Sequence, residues 1–246
     1  MRIAVSLLWL AALALAEPTA FPWGPYTAAV QAFGDESGPH AGERLVLFRN
    51  GEETVLVEDQ RVTARTVEVT GNPPPELWVT GYSGGAHCCF SEYVFALVGG
   101  RVVALTAGDW GNGGLVRARD LNGDGRAELT FVRVYGYLGG LCYACSPAVW
   151  RTFEWRDGRF VDATRRFPEI TEKHVREAKK ALMQAADRDP QDPYLLGQAA
   201  TYWINAYALG RGKEAWAWLE AHLAAGTLGW LRDHRIELLR PFSALP

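Results

Sequence analysis

The amino-acid sequence predicts an α+β chain, with an N-terminal β-domain of two to three repeated sheet units followed by a C-terminal all-α domain. Three observations predict it. Asn50-Gly51, Gly99-Gly100 and Asp157-Gly158 each separate two short apolar, β-branched or aromatic runs. A polar loop with the strand after it occurs twice, at 68–79 and at 120–131, in matching register. Beyond Phe167-Pro168 the composition turns to Ala, Leu, Glu and Lys.

Taken in order, residues 1–16 read as a signal peptide. Arg2 supplies the positive start, Ile3 to Leu15 form an apolar run, and Ala14-Leu15-Ala16 has the small-x-small pattern of a cleavage site. That run falls short of the roughly 20 residues a membrane-spanning helix needs. A cleaved leader is therefore expected over an anchor, and the chain is expected to be exported, whether periplasmic, cell-surface or secreted. Residues 17–42, rich in Pro, Gly and Ala, are expected to be a lead-in segment with at most a short helix at Tyr26 to Phe33.

The β-repeat domain is expected over 43–167. Asn-Gly, Gly-Gly and Asp-Gly tolerate the positive φ angles of tight hairpin turns. Leu45–Phe48 with Thr54–Val57, Tyr93–Leu97 with Val102–Leu105, and Trp150–Trp155 with Arg159–Val161 therefore read as three hairpins. The repeated loops align without a gap, Gly71 on Gly123, Glu76 on Glu128 and Leu77 on Leu129. A repeat of about 50 residues has the period of a propeller blade. The span holds two to three such propeller-blade-like units, so a closed propeller is not expected.

The helical domain is expected over 168–246. Val175, Ala178, Leu182 and Ala185 fall on one face of a helix over Thr171 to Asp187. Asp192 followed by Pro193 has the form of an N-cap with proline at the first helical position, and Gly210 marks that helix's end. Two more helices are expected, from about Lys213 to Ala225 and from Leu228 to Leu239.

A net charge of -3 argues against a nucleic-acid binder, because no basic excess is available to neutralise phosphates. Downstream of the leader no segment is long and apolar enough to span a membrane. Catalytic residues are not apparent either. Ser83-Gly84-Gly85 lacks the G-x-S-x-G frame of a hydrolase elbow. Asp109 to Gly114 is a glycine-rich stretch without a phosphate-binding lysine, and it reads as a turn.

The sharpest motif is Asp120-x-Asn122-x-Asp124-Gly125-x-x-Glu128. Calcium takes six to eight oxygen ligands, mixing carboxylates, amide oxygens and a backbone carbonyl. Alternating side-chain oxygens at Asp120, Asn122 and Asp124, the carbonyl of Arg126, and the carboxylate of Glu128 supply that mixture on one loop. Phe131 stands where an EF-hand carries its closing glutamate, so the motif is not an EF-hand. The loop and its flanking strands resemble the FG-GAP and VCBS type repeats of integrin-like propeller proteins. That resemblance implies calcium as cofactor and Asp120, Asn122, Asp124, Arg126 and Glu128 as its ligands. The earlier loop, with Glu68, Thr70, Asn72 and Glu76 but Pro73 in place of glycine, is expected to keep the fold and lack the ion.

Cys88, Cys89, Cys142 and Cys145 are an even number in a chain expected to be exported, where two disulfides are the default. Adjacent cysteines on an extended segment point to opposite faces, so cross-links from Cys88 and Cys89 to Cys142 and Cys145 are expected, in a pairing the sequence leaves open. A zinc or copper site of His87 with the cysteines is one alternative, and a strained Cys88–Cys89 bond or free thiols is another. The stretch GYSGGAHCCF resembles a segment of uncharacterised exported bacterial proteins, which implies no activity. Ala206 to Leu219 resembles the inter-helix turn of a tetratricopeptide repeat, for one unit only. Trp203, Trp216, Trp218 and Trp230 are expected in the core or seam.

The sequence thus favours an exported, calcium-stabilised, disulfide-linked binding module without enzymatic activity, its partner a protein or glycan. A metal-dependent enzyme or redox protein using His87 and the cysteines, and a peptide-binding adaptor working through the C-terminal helices, are the alternatives.

Overall fold

The structure, a computed structural model, describes residues 20–34, 41–85, 90–111, 113–185 and 187–243. Residues 1–16, where a leader is expected, lie outside them. The described strands form three four-stranded antiparallel sheets, each a meander in chain order, and none is closed. The first contains β1 (Ala20–Trp23), β2 (Tyr26–Phe33), β3 (Gly42–Arg49) and β4 (Glu52–Asp59). The second contains β5 (Arg61–Val67), β6 (Glu76–Tyr82), β7 (Phe90–Val98) and β8 (Arg101–Gly111). The third contains β9 (Gly114–Arg119), β10 (Glu128–Val134), β11 (Ala148–Arg156) and β12 (Arg159–Asp162). Five helices follow, α1 (Glu169–Gln184), α2 (Pro193–Ala208), α3 (Gly212–His222), α4 (Ala225–Asp233) and α5 (Arg235–Leu239). The chain is therefore α+β.

The three hairpin turns have the backbone their dipeptides favour. φ is 53° and 82° at Asn50 and Gly51, 57° and 78° at Gly99 and Gly100, and 52° and 77° at Asp157 and Gly158. Two successive positive φ values match the right-handed twist of the strands they join.

Two expectations along the chain need correction. The Tyr26–Phe33 segment is not helical but forms β2, paired with β1 through Ala20↔Ala29 and with β3 through Ala29↔Val46. Alanine favours a helix locally, but here Ala28 is fully buried among Trp23, Leu45 and Leu47, and cross-strand packing overrides propensity. Likewise Asp109-Trp110-Gly111 does not turn but continues β8, pairing with β7 through Ser91↔Asp109 and Phe90↔Gly111.

Apolar layers join the sheets in series. Leu77 and Val79 of β6 and Phe95 of β7 meet Trp23, Leu45, Leu47 and Val57 of the first sheet. Trp78 and Val94, on the opposite face, meet Leu129, Phe131 and Phe153 of the third. The second sheet is thus covered on both faces, which accounts for the unbroken apolar run Leu77-Trp78-Val79. Tyr135, Leu138 and Val149 carry the third sheet's contacts into a third layer with Val175, Leu182, Leu195 and Trp203 of the helices.

The helices also complete a sheet edge. β12 pairs with β11 only from Phe153 to Arg156, so Ala148, Trp150 and Thr152 turn their peptide groups toward an edge that no described strand covers. The N–H of Ala148 donates to Thr201 Oγ1 (3.3 Å), and its carbonyl accepts from Asn205 Nδ2 (2.8 Å). Trp150 donates to Asn205 Oδ1 (3.1 Å) and accepts from Thr171 Oγ1 (2.9 Å). Thr152 donates to Thr164 Oγ1 (3.0 Å) and accepts from the Ala163 amide (2.8 Å). Side chains of α1 and α2, with the turn after β12, stand where a further strand would be.

The helix signals hold at α1 and α2. Val175, Ala178, Leu182 and Ala185 are all buried, and Asp192 caps α2 by accepting from the amides of Tyr194 (2.9 Å) and Leu195 (3.1 Å). Gly210 (φ 81°) ends α2, its N–H donating to Tyr207 and that of Arg211 to Ala206, the paired bonds of a Schellman motif. The expected fourth helix is two, α4 and α5, and begins three residues early at Ala225.

Candidate functional site

The loop between β9 and β10 is organised by its own carboxylates. Asp120 Oδ1 accepts from the amides of Gly123 (2.6 Å) and Asn122 (3.2 Å), and Oδ2 from Gly125 (2.8 Å). Asn122 Oδ1 accepts from the Asp124 amide (2.8 Å), and Asp124 Oδ1 from the Arg126 amide (2.9 Å). Each alternate side chain therefore holds the peptide group two to five residues ahead, and Gly123 (φ 79°) and Gly125 (φ 84°) supply the left-handed turns between them. Glu128, at the first position of β10, is 2% exposed. Its Oε2 accepts from the Leu121 amide (2.7 Å) and its Oε1 from Asn122 Nδ2 (3.0 Å). The same Nδ2 reaches Asp124 Oδ2 (3.2 Å), so one amide group bridges two carboxylates.

The preceding sheet repeats the arrangement. Glu68 Oε1 accepts from the Gly71 amide (2.8 Å), as Asp120 does from Gly123. Glu76, 1% exposed, accepts at Oε2 from the Val69 amide (2.7 Å), as Glu128 does from Leu121. The alignment read from sequence is thus a geometric one. The two loops also touch. Ala127 donates its N–H to the Glu68 carbonyl (2.6 Å), and the Arg126 stem lies against Gly71, where a Cβ would stand 3.2 Å from Arg126 Cδ. Trp23 Nε1 donates to the Pro75 carbonyl (2.7 Å), tying the β1–β2 turn into the same row. Sequence reading missed this row because the first sheet has no such loop, only Trp23-Gly24-Pro25.

The electrostatics of the two aspartates and of Glu128 run in opposite directions. The Gly125 amide, helped by those of Gly123 and Asn122, holds the Asp120 carboxyl below its usual range. The Arg126 amide and guanidinium do the same for Asp124. Burial raises Glu128, and the negative charges of Asp124 and Asp120 raise it further. Arg126 offsets little of that charge, because its 3.1 Å pair with Asp124 is half exposed.

The donor set fits calcium in chemistry. An ionised carboxylate offers about four acceptor sites, so amide bonds do not exhaust Asp120, Asp124 or Glu128. Their mutual repulsion is what a divalent cation relieves. In shape the fit is looser, since among the described residues no three His, Cys, Asp or Glu side chains are gathered as a metal-holding group. No known protein family, curated protein or solved structure matches this chain. The assignment of the loop therefore rests on its residues.

The cysteine expectation is overturned in part. Cys142 and Cys145 are bonded to each other, not to Cys88 and Cys89. A single 3₁₀ turn over Tyr143–Cys145, with the Cys145 amide donating to the Cys142 carbonyl (3.0 Å), brings the two Cα atoms to 5.1 Å, within disulfide reach. This local closure leaves neither thiol for a cross-link between the repeats. His87, Cys88 and Cys89 lie outside the described residues. Of the four tryptophans expected in core or seam, Trp203 is buried and Trp216, Trp218 and Trp230 are partly buried against the helical layer. No helix among the described residues is long and apolar enough to cross a membrane.

Proposed function

We propose that this chain is an exported binding module whose row of sheet-end loops is stiffened by one calcium ion, with a protein or glycan as its partner. The observation that carries the reading is the Asp120–Glu128 loop. It combines three carboxylates, one amide oxygen and two left-handed glycines on a single turn, and burial, with the nearby aspartates adding to it, raises the proton affinity of Glu128. When bound, the ion neutralises that charge, while Asp120, Asn122, Asp124, Glu128 and the Arg126 carbonyl would hold it. The loop's resemblance to FG-GAP and VCBS type repeats supports the reading. So do three successive four-stranded meanders, which we take as propeller-blade-like units in an open row. The Cys142–Cys145 bond favours a structural role for these cysteines over a thiolate metal site, and the leader-like residues 1–16 favour export.

Melting of the purified chain with calcium and after chelation tests the proposal. Calcium at a hundredfold excess over Kd is expected to stabilise the fold by about 2.7 kcal/mol. Asp124→Asn, which removes charge from the loop, and Glu128→Ala should each abolish the shift. Glu76→Ala orphans the Val69 and Thr70 amides and should cost about 2–3 kcal/mol, yet leave the calcium shift in place. Identical melting with calcium and with chelator would sink the calcium reading.

A further inference from the structure

The helices and the third sheet enclose a cleft of about 1150 Å³ that the loop chemistry does not touch. We propose that it binds an acidic segment of a partner protein, laying an aromatic or aliphatic side chain on its floor and carboxylates against its rim. This deepens the binding part of the reading above and does not depend on calcium, because no residue of the 120–128 loop lines the cleft.

The floor is aromatic. Trp203 is buried and meets Trp216 edge-on at 5.7 Å, while Tyr207, 39% exposed, meets Phe242 edge-on at 5.1 Å. Rings held this way offer a rigid apolar surface at little cost in entropy on binding.

The rim carries unspent positive charge. Three of its carboxylates are taken. Glu154 pairs with Arg166 and with Arg156 (3.4 Å), Asp162 with Arg151 (2.7 Å), and Glu220 accepts from Trp216 Nε1 (2.8 Å) and pairs with Arg232 (3.3 Å). Arg165, Lys213 and Arg235 line the same cleft, are exposed, and have no carboxylate at ion-pair distance among the described residues. Glu214 is the remaining acid, so cations are in surplus here although the whole chain carries -3. Arg165 also lies against the end of α2. Its guanidinium lies on Gly210, where a Cβ would stand 2.8 Å from Cζ, so the glycine that ends α2 also makes room for the rim. Arg235 lies 5.9 Å over the Trp203 ring, joining rim to floor.

Charge and size together select the occupant. A guanidinium fork matches a planar carboxylate in two parallel bonds. The volume exceeds the roughly 300–1,000 Å³ of ordinary small-molecule sites, which fits several residues of chain better than a single small ligand. Three free cations are too few for a phosphate backbone.

The test is fluorescence anisotropy of the purified full chain with a labelled peptide of glutamates flanking a central phenylalanine. The same peptide with glutamines, one with lysines, and a polygalacturonate chain serve as comparisons. The acidic peptide alone is expected to bind, and the double variant Arg165→Gln with Arg235→Gln should weaken it about tenfold while leaving the circular dichroism unchanged. Failure of the acidic peptide to bind, equal binding by the glutamine peptide, an unaltered Kd in the double variant, or binding of polygalacturonate in its place would each overturn the proposal. Repeating the titration in chelator separates the two readings. Peptide binding without a calcium-dependent melting shift keeps this inference and removes the calcium one, and the reverse result does the opposite.

Discussion

Glu76 and Glu128 hold the same place in successive repeats, and their neighbours set them apart. Both are buried at the first residue of a strand and both accept the second amide of the loop before it. That shared bond explains why a glutamate stands there in either sheet, with or without an ion. The difference lies at the other loop positions, where Thr70 donates its hydroxyl to Glu76 Oε1 (2.6 Å) while Glu128 faces two aspartates. A third buried glutamate has neither arrangement. Glu92, 4% exposed, accepts at Oε2 from Trp78 Nε1 (2.7 Å) and Thr80 Oγ1 (2.9 Å). Its Oε1 crowds Gly114 of the third sheet, where a Cβ would stand 2.6 Å away. Burial raises its carboxyl above the usual 4.5, outweighing the bonds from Trp78 and Thr80 that lower it. The folded state thus holds this proton more tightly than the unfolded chain. The stability it contributes is complete below pH 4.5 and is lost as pH rises through the raised value. Urea unfolding at pH 4 to 7 should therefore show wild type losing stability relative to Glu92→Gln as pH rises. A constant difference between the two across that range would mean the carboxyl is not perturbed by burial.

At the scale of elements, close approach decides more than propensity does. Gly197 lies in the second turn of α2 and is buried, a position where alanine ordinarily gains helix stability. Here a Cβ would run into the carbonyl oxygen of Cys145, so the disulfide turn and α2 pack backbone to backbone. Gly197→Ala is expected to lose about 1–3 kcal/mol in urea unfolding, against the fraction of a kcal/mol that propensity alone would add. A neutral or stabilising result would show that the turn at Tyr143–Cys145 yields easily. The sequence announced α2 through Asp192, Pro193 and Gly210 because each acts on its own neighbours. The three hairpins were legible for the same reason, their turn residues fixing the backbone locally. By contrast β2 was hidden, because its alanines favour strand only once Trp23, Leu45 and Leu47 surround them. The Cys142–Cys145 pairing was missed by weighing distant partners over a turn that closes within four residues. The candidate loop was visible as a donor pattern, but the contact of Ala127 with Glu68 was not, since it depends on how two sheets lie side by side. The cleft was hidden more deeply, because its floor and rim come from β11, β12 and the turn after it, α2, α3, α5 and the last turn.

Across the whole molecule, the helices that begin at Glu169 and the third sheet before them are joined by packing and hydrogen bonds. The helices share an apolar layer with Tyr135, Leu138 and Val149, and Tyr135 donates its hydroxyl to the Leu238 carbonyl (2.7 Å). They also supply the hydrogen bonds that β11 lacks beyond the reach of β12. An antiparallel strand leaves every second residue with both peptide groups on the open edge, and an uncovered edge recruits other strands. Asn205, fully buried in α2, serves two such groups at once, accepting from Trp150 and donating to Ala148, and its Nδ2 also reaches the Thr201 carbonyl (2.8 Å). Replacing it with alanine orphans an N–H on one residue and a carbonyl on another, both at the junction of sheet and helix. Asn205→Ala is therefore expected to cost about 2–6 kcal/mol, since each of the two orphaned groups costs about 1–3. The form of the loss is as informative as its size. If sheets and helices unfold together, tryptophan fluorescence and far-ultraviolet circular dichroism should shift to lower urea by the same amount, with the slope of the transition unchanged. If the helices were a separate domain docked on the sheets, the variant would split the transition, and the sheet signal would keep its midpoint. A single displaced transition is expected, because among the described residues only the helices and the turn after β12 cover the edge of β11 beyond β12, and the helices cover the face that carries Val149.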